Sequence, residues 1–214
     1  MRVAVHYNAT ADGARETARQ IEAAGGEAKL FSGDLTDAAK APDLIADVVK
    51  AFGGLDVLVN SAAVMHRMPF GEITPQQWDD VMALNLRAPF FLAQAAAPHL
   101  KTARGVIVNI ADLAAFETWP GYLPHGLSKS GIVYLTRALA RVLAPEVRVG
   151  AIAPGTVLLP ENWSDADAQR LRATTPLARE GSPEDVTRTV LFILDSDYLT
   201  GETIIVDGGR HVRA

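Results

Sequence analysis

The chain has 214 residues, a length that fits one domain with a sizeable core. Its net charge of −5, without a basic block, argues against a nucleic-acid partner. No run approaches the roughly 18 apolar residues of a membrane span, and the absence of cysteine excludes disulfides and thiol chemistry. With no signal-peptide pattern at the start, we expect a cytoplasmic protein that does not contact membranes.

Short apolar strands alternate with helices along the chain. Strands are predicted at residues 3–6, 28–32, 55–60, 106–110, 147–152 and 203–206, and helices at 13–24, 44–52, 75–100, 124–143 and 183–194. This alternation predicts an α/β fold with a doubly wound parallel sheet, and residues 1–214 are expected to form one domain. Residues 155–182 show little periodicity, and a loop of that length is often a lid.

Three reactive side chains follow the predicted strand 106–110. Asp112 comes just after its end, and His125 and Lys129 lie four residues apart, which places them on one face of the next helix. Open α/β sheets bind ligands beyond the carboxyl ends of their strands. The acid, the imidazole and the amine are therefore predicted to converge in one site. Asn85, in the middle of an apolar helix, also needs a polar partner.

Plainer interpretations of the same residues stay open. The carboxylate of Asp112 can cap the next turn, which is common after a strand. His125 can simply lie at a helix start or face a cavity. Tyr122, just before that helix, is an alternative proton donor if it swings into the site.

Several motifs resemble those of the short-chain dehydrogenase/reductase family, and their order and spacing cover nearly the whole chain. They are Asn60-Ser-Ala-Ala63, Met-Ala-Leu-Asn85-Leu, His125-Gly-Leu-Ser-Lys129, Pro154-Gly155, Gly181-Ser-Pro-Glu-Asp-Val and Thr200-Gly-Glu-Thr-Ile-Ile-Val-Asp-Gly-Gly209. Each motif alone is weak evidence. Together they imply a Rossmann-like fold and an NAD(P)-dependent oxidoreductase.

The resemblance also implies roles for individual residues. The catalytic set would be Asn85, Asp112, His125 and Lys129, in which His125 replaces the family's tyrosine as proton donor. Asn85 would hold a water molecule of the family's proton relay, and Lys129 would bind the nicotinamide ribose. Asp112 stands where most members have serine and pteridine-reductase-like members have aspartate. The cofactor-binding set would be His6, Tyr7, Asp34, Leu35, Asn60, Ala62, Lys129, Pro154, Gly155 and Val157, with no metal.

The segment His6-Tyr7-Asn8-Ala9-Thr10 favours NADP over NAD. NAD-specific sites place an acid after this strand to accept the ribose hydroxyls, and here no acid occurs before Asp12. An acid would repel a 2′-phosphate, whereas histidine, asparagine and threonine can donate hydrogen bonds to one. The arginine that usually binds the 2′-phosphate is missing from this segment, although Arg15 follows on the next helix.

One family feature has no counterpart in this sequence. The family opens with a strand, a Gly-x-x-x-Gly-x-Gly turn and a helix, and a βα unit on the order of 30 residues is missing here. Without its central strand, two neighbouring strands should keep unpaired backbone groups, each costing about 1–3 kcal/mol. Three explanations compete: a recorded start that is too late or a shortened chain, a natural remnant with an altered sheet, or a strand supplied by another chain.

The sequence therefore predicts an NADPH-dependent reductase of a small carbonyl or C=N compound. Asp112 and the His6-Tyr7 segment suggest a pteridine-like substrate, and 3-oxoacyl groups and sugars are the alternatives. The alternative is a non-catalytic Rossmann-like protein that serves binding or assembly. The expected partners are a small-molecule substrate and a second copy of the chain, in a homodimer or homotetramer.

Overall fold

The computed structural model describes residues 1–159 and 163–212. The strands are β1 (Arg2–Tyr7), β2 (Glu27–Ser32), β3 (Val57–Asn60), β4 (Val106–Ile110), β5 (Arg148–Pro154) and β6 (Thr203–Val206). The helices are α1 (Ala11–Ala23), α2 (Ala41–Phe52), α3 (Pro75–Met82), α4 (Ala88–Ala103), α5 (Leu123–Leu143), α6 (Asp165–Thr174) and α7 (Pro183–Asp195). A π-helical turn, Ala83–Arg87, joins α3 directly to α4. The predicted alternation of strands and helices is confirmed.

The strands form two separate parallel sheets among the described residues. β1 pairs with β2, whereas the other four strands form one sheet in the order β3-β4-β5-β6. The register runs from Val57 opposite Val106 and from Val106 opposite Arg148. The predicted parallel α/β sheet is thus present but divided between β1 and β3, where the sequence predicted a missing central strand.

The core lies on the two faces of the four-stranded sheet. Ile107 and Val149 are fully buried and pack with Leu100, Ala96 and other residues of α2, α4 and α5. Val108 and Ile152 pack on the opposite face with Ile193 of α7. By contrast, the residues of β1 and β2 are half-buried or exposed. Helices on both faces of β4 and β5 explain why those strands are continuously apolar.

One local feature differs from the sequence expectation. The stretch predicted to be a long loop contains α6, which begins at a capping box between Ser164 and Asp167. Only two of its residues, Ala168 and Leu171, are buried, so its apolar stripe was too short to show as periodicity.

No helix among the described residues is long and apolar enough to cross a membrane.

Candidate active site

The candidate site lies where the carboxyl ends of β3 and β4 meet α5 and the π-helical turn. β4 leads to Asp112, α5 carries His125 and Lys129 one turn apart, and the π-helical turn carries Asn85. A π turn inside a longer helix often marks a functional position because the extra residue redirects a side chain. Here it carries a buried asparagine that faces α5.

Asn85 ties the segment after β3 to α5. Its Oδ1 accepts a hydrogen bond from the Val64 amide at 2.8 Å, and its Nδ2 donates to the Val64 carbonyl at 2.9 Å. The same Nδ2 donates to Ser128 Oγ at 3.1 Å, and Ser128 donates to the His125 carbonyl at 2.7 Å. Both amide hydrogen atoms of Asn85 are therefore used by protein partners.

The imidazole of His125 is buried and held at one nitrogen. Its Nδ1 lies 3.1 Å from the Val64 carbonyl oxygen, which can only accept, so Nδ1 carries the hydrogen atom. Asn85 Nδ2 is also a donor and lies 3.4 Å from Nδ1, so it adds no bond to that hydrogen atom. Nε2 is buried without a hydrogen-bond partner among the described residues. This leaves Nε2 as the ring atom that can exchange a proton with a ligand.

The two carboxylate oxygens of Asp112 contact different neighbours. Oδ1 accepts a hydrogen bond from the Ala114 amide at 2.8 Å and caps the short turn after β4. Oδ2 lies 3.6 Å from His125 Nε2. Asp112 therefore both caps the turn and lies in the site, because a different carboxylate oxygen is involved in each case.

Lys129 brings a buried amine beside this pair. Its Nζ donates to the Ile110 carbonyl at 2.8 Å, at the end of β4. Burial lowers the pKa of Lys129, and the negative charge of Asp112 partly opposes that shift. An ammonium group has three donors, so two N–H groups remain for a ligand beyond the one that binds Ile110.

A second set of buried polar groups fixes the strand ends below the site. Asn60 Nδ2 donates to Asn109 Oδ1 at 2.9 Å, and Asn109 Nδ2 donates to Thr136 Oγ1 at 2.9 Å. Thr136 in turn donates to the Ile132 carbonyl at 2.8 Å. This series of hydrogen bonds links β3, β4 and α5, so the site is built on rigid elements.

The structure distributes the predicted cofactor residues over two cavities. His6, Leu35, Asn60 and Ala62 line a cavity of about 790 Å³ between β1 and β3. Gly155 lines a separate cavity of about 350 Å³ beside β6.

Other cofactor candidates, on the turns after β1 and β2, form hydrogen bonds within the protein. His6 Nε2 lies 2.9 Å from the Gly33 carbonyl, and Asp34 is exposed and binds the amide and hydroxyl of Thr36. These two hydrogen bonds lower the pKa of Asp34. Tyr7 ends β1, and its carbonyl accepts from the Gly33 amide. These contacts hold the turns after β1 and β2.

The turn after β5 packs closely against its surroundings. Pro154 is the last residue of β5 and pairs with Val206. A side chain at Gly155 would place its Cβ 2.9 Å from Asp207 Cβ, and one at Gly181 would reach Val157 Cγ1 at 2.9 Å. Glycine is therefore required at both positions by close packing within the protein.

Some residues of the site are only weakly indicated by the sequence. Val64 acts through its backbone, which no residue pattern reveals. Ser128 lies within the helical motif, one turn after His125, and Asn109 interrupts an apolar strand, so both could have been singled out as buried polar groups. Tyr122 is the N-cap residue of α5, and its ring packs edge to face against Trp119 with 6.3 Å between the ring centroids.

The site fits the nicotinamide end of a dinucleotide better than its pyrophosphate. A buried amine with two available donors and an unpartnered imidazole nitrogen suit a ribose hydroxyl and a substrate oxygen. However, no connection from a strand to a following α-helix contains more than one glycine among the described elements. Such turns need several glycines for backbone amides to approach a pyrophosphate.

Comparisons with known proteins agree on one family. Residues 1–211 match the enoyl-(acyl carrier protein) reductase family profile. A ketoacyl reductase of the granaticin polyketide synthase from Streptomyces violaceoruber is 34% identical, over 96% of this chain and 87% of that protein. The 3-oxoacyl-[acyl-carrier-protein] reductase FabG of Staphylococcus aureus is 33% identical, over 98% and 88%. A short-chain dehydrogenase/reductase structure from Serratia marcescens superimposes with a TM-score of 0.91 at 31% identity, over 98% and 87%.

Proposed function

The chain belongs to the short-chain dehydrogenase/reductase family of oxidoreductases, and from that premise we propose that it is an NADPH-dependent reductase of a small carbonyl substrate in which His125 supplies the proton. The observation that carries the proposal is the buried, unpartnered Nε2 of His125, 3.6 Å from Asp112 and one helical turn before Lys129. A bound nicotinamide cofactor would supply the hydride.

The orientation of His125 suits a proton donor. Because Nδ1–H is held by the Val64 carbonyl, a second proton on the ring must reside on Nε2. There Asp112 Oδ2 lies 3.6 Å away, and the proton points into the site. Transfer of this proton to the substrate oxygen leaves a neutral imidazole in the same position, still fixed through Nδ1.

Lys129 and Asp112 have complementary roles in this proposal. Lys129, fixed at one N–H by the Ile110 carbonyl, offers its other donors to the nicotinamide ribose. Asp112 orients the substrate and balances the positive charge on His125, while its second oxygen holds the turn after β4 in place.

Asn85 is a positioning residue in this account. In the family-based expectation it holds a water molecule of a proton relay, but its amide hydrogen atoms here bind the Val64 carbonyl and Ser128. The Val64 carbonyl is also the group that fixes His125 Nδ1. Asn85 therefore acts on the proton donor through Val64.

In this proposal the remaining cofactor candidates bind the dinucleotide beyond the carboxyl ends of the strands. Asn60 is the last residue of β3 and Ala62 lies two residues after it, Pro154 is the last residue of β5 and Gly155 follows it, and His6 is the second-to-last residue of β1. The absence of an acid in the segment His6 to Thr10 supports NADPH in preference to NADH. Because His6 Nε2 already contacts the Gly33 carbonyl, donation to a 2′-phosphate would fall to Asn8 and Thr10.

A 3-oxoacyl compound is the first substrate class to test, because two relatives are named as ketoacyl or 3-oxoacyl reductases. A pteridine-like C=N substrate is the second, and Asp112 favours it because a carboxylate can accept hydrogen bonds from a pterin ring. Acetoacetyl coenzyme A and dihydrobiopterin separate the two classes when NADPH oxidation is followed spectroscopically. NADPH at about 1 mM, the upper end of ordinary KM values, allows for weak binding.

The outcome of that assay decides the proposal. Oxidation of NADPH with either compound, lost in His125→Ala, supports the His125 chemistry. Activity that persists in His125→Ala would move the proton donor to Tyr122 or to water. If the natural chain is inactive on every carbonyl while His125→Tyr gains activity, the non-catalytic alternative is favoured.

We also propose that the protein is a homodimer or homotetramer. Phe90 and Phe91 of α4 and Tyr134 and Val142 of α5 are large side chains with 38–75% of their surface exposed. An apolar helix surface of this kind is typical of an interface between subunits. Light scattering at micromolar concentration should give a mass of two or four chains, and a single monomeric species would contradict the proposal.

A further inference from the structure

The smaller cavity, beside β6, is separate from the candidate active site. Its volume is about 350 Å³, and none of the four candidate catalytic residues lines it. The turn after β5, helix α6, the segment between α6 and α7, and β6 with the residues after it form its walls. Arg210 contributes its side chain to the lining, and we refer to this space as the Arg210 cavity.

The guanidinium group of Arg210 has an unused edge. Its Nη1 donates to Thr156 Oγ1 at 3.2 Å. Its Nε is buried and has no hydrogen-bond partner among the described residues. Nε–H and one Nη2–H lie side by side on another edge of the planar group, where they can donate two parallel hydrogen bonds to a carboxylate. A buried donor of this kind calls for a partner.

The other cationic groups of the Arg210 cavity already have anionic partners. Arg179 lies 2.8 Å from Asp185, and His211 Nδ1 lies 2.8 Å from Asp207 Oδ2. Within the part of the chain that the structure describes, no carboxylate forms an ion pair with Arg210. An anion in the cavity would therefore be attracted to Arg210 in preference to the other two groups.

Three carboxylates also line the Arg210 cavity, and protein donors engage each of them. Besides Asp185, Glu180 lies 3.0 Å from Arg172. Asp207 accepts hydrogen bonds from two backbone amides of the turn that follows it. Only 3% of the Asp207 side chain is exposed, so its oxygens face these donors. The carboxylates are thus satisfied within the protein, whereas Arg210 is not.

Aliphatic side chains form another part of the lining. They are Leu171, Leu177, Ile205 and Val206. Ligand cavities commonly combine such walls with a few polar groups that fix the orientation of the ligand. At about 350 Å³ the Arg210 cavity is at the small end of the usual range. Its occupant therefore needs one anionic end and a short apolar body.

We propose that the Arg210 cavity binds a small organic carboxylate with a short aliphatic chain. The carboxylate would accept hydrogen bonds from Nε and Nη2 of Arg210, and the chain would lie against Leu171 and Leu177. Inorganic phosphate offers the charge without the apolar part, so it should bind more weakly. This site does not depend on the proposed reductase activity.

A titration with sodium hexanoate tests the ligand class. Hexanamide has the same chain without the negative charge, and sodium phosphate has the charge without the chain. Ligand-observed NMR on the unsubstituted protein should show saturable binding of hexanoate with a Kd of about 1 mM. Hexanamide and phosphate should each bind more weakly by about tenfold or more, because each lacks one half of the recognition.

Two arginine substitutions test the location of the site. Arg210→Gln removes the charge and the paired N–H groups, and it should weaken hexanoate binding by about tenfold or more. Arg170→Gln makes the same change at an exposed position of α6, the helix that also carries Leu171, and is the matched control. It should change the affinity less than twofold, since Arg170 does not line the cavity. Circular dichroism checks that both variants fold.

The unsubstituted chain keeps the test decisive if Arg210→Gln fails to fold. In a nitrogen-15-labelled sample, the Nε–H signal of Arg210, assigned by through-bond experiments, should shift with hexanoate and saturate at the same concentration as ligand binding. A signal that stays in place while hexanoate binds would overturn the proposal, because the carboxylate would then lie elsewhere.

Other outcomes would also overturn the proposal. They are no saturable binding of hexanoate, equal binding of hexanamide or phosphate, and equal losses in Arg210→Gln and Arg170→Gln. Lys129→Met distinguishes the active site, the other place where a buried cation is available. Binding that is lost in Lys129→Met and kept in Arg210→Gln would assign the carboxylate to that site instead. These readouts use neither NADPH nor turnover.

Discussion

The four-stranded region (β3–β6 with α3–α5 and α7) and the two-stranded region (β1, α1 and β2) differ in how they are supported. β4 and β5 are covered by helices on both faces and paired on both edges, and β4 leads to Asp112 of the candidate site. β1 and β2 have half-buried or exposed residues, and β1 has an open edge. The comparison shows that the candidate active site is held by contacts that do not pass through the two-stranded region.

The largest predicted effect concerns chemistry in the four-stranded region. His125→Ala should lower turnover by about 10²–10⁴-fold, the usual contribution of a general acid, while NADPH affinity stays the same. Steady-state kinetics with the best substrate, with a parallel NADPH titration, measure both quantities. Tyr122→Phe is the control for the alternative donor and should retain turnover. A His125→Ala variant with full activity would show that the histidine is only a buried structural residue.

Matched truncations in the two regions should differ in stability. Ile107→Ala removes a fully buried side chain of β4 and should lower the free energy of unfolding by about 2–5 kcal/mol. Leu30→Ala in β2, where 36% of the side-chain surface is exposed, should cost about 1 kcal/mol or less. Urea denaturation measures both. Equal losses would mean that the two-stranded region is as tightly packed as the four-stranded sheet.

The smallest effect is a pH dependence from Lys129. Its pKa in the folded chain is lowered below the ordinary value of 10.5 by burial. Between the lowered value and 10.5, the unfolded chain still holds the proton that the folded chain has released, so the free energy of unfolding rises with pH in that window. Below the lowered pKa both states are protonated, and the slope from this group vanishes.

Two variants isolate that contribution. Lys129→Met should lose the rise in stability towards pH 10.5, whereas Lys101→Met, at an exposed position of α4, should keep it. Denaturant melts from neutral pH upwards compare the three proteins. An identical pH profile for the unsubstituted chain and Lys129→Met would contradict the assigned burial of the amine.

The sequence was sufficient for the fold because apolar runs such as 106–110 are buried on both faces and alternate with helices of recognisable period. It missed α6, in which only Ala168 and Leu171 are buried. The convergence of Asp112, His125 and Lys129 followed from strand-end placement and helical spacing. The π-helical turn that carries Asn85 depends on tertiary packing, and His125 is fixed by the backbone carbonyl of Val64. Residue patterns encode neither.

Calorimetric titration of NADPH into the 214-residue chain tests the central claim most directly. We propose that the nicotinamide end of the site is formed and that the pyrophosphate contacts are not, since no described turn from a strand to an α-helix has more than one glycine. We predict a Kd weaker than about 100 µM, in keeping with the NADPH concentration of about 1 mM that the turnover assay uses. A Kd of about 1 µM, equivalent to about −8 kcal/mol, would contradict it and would mean that another segment binds the pyrophosphate.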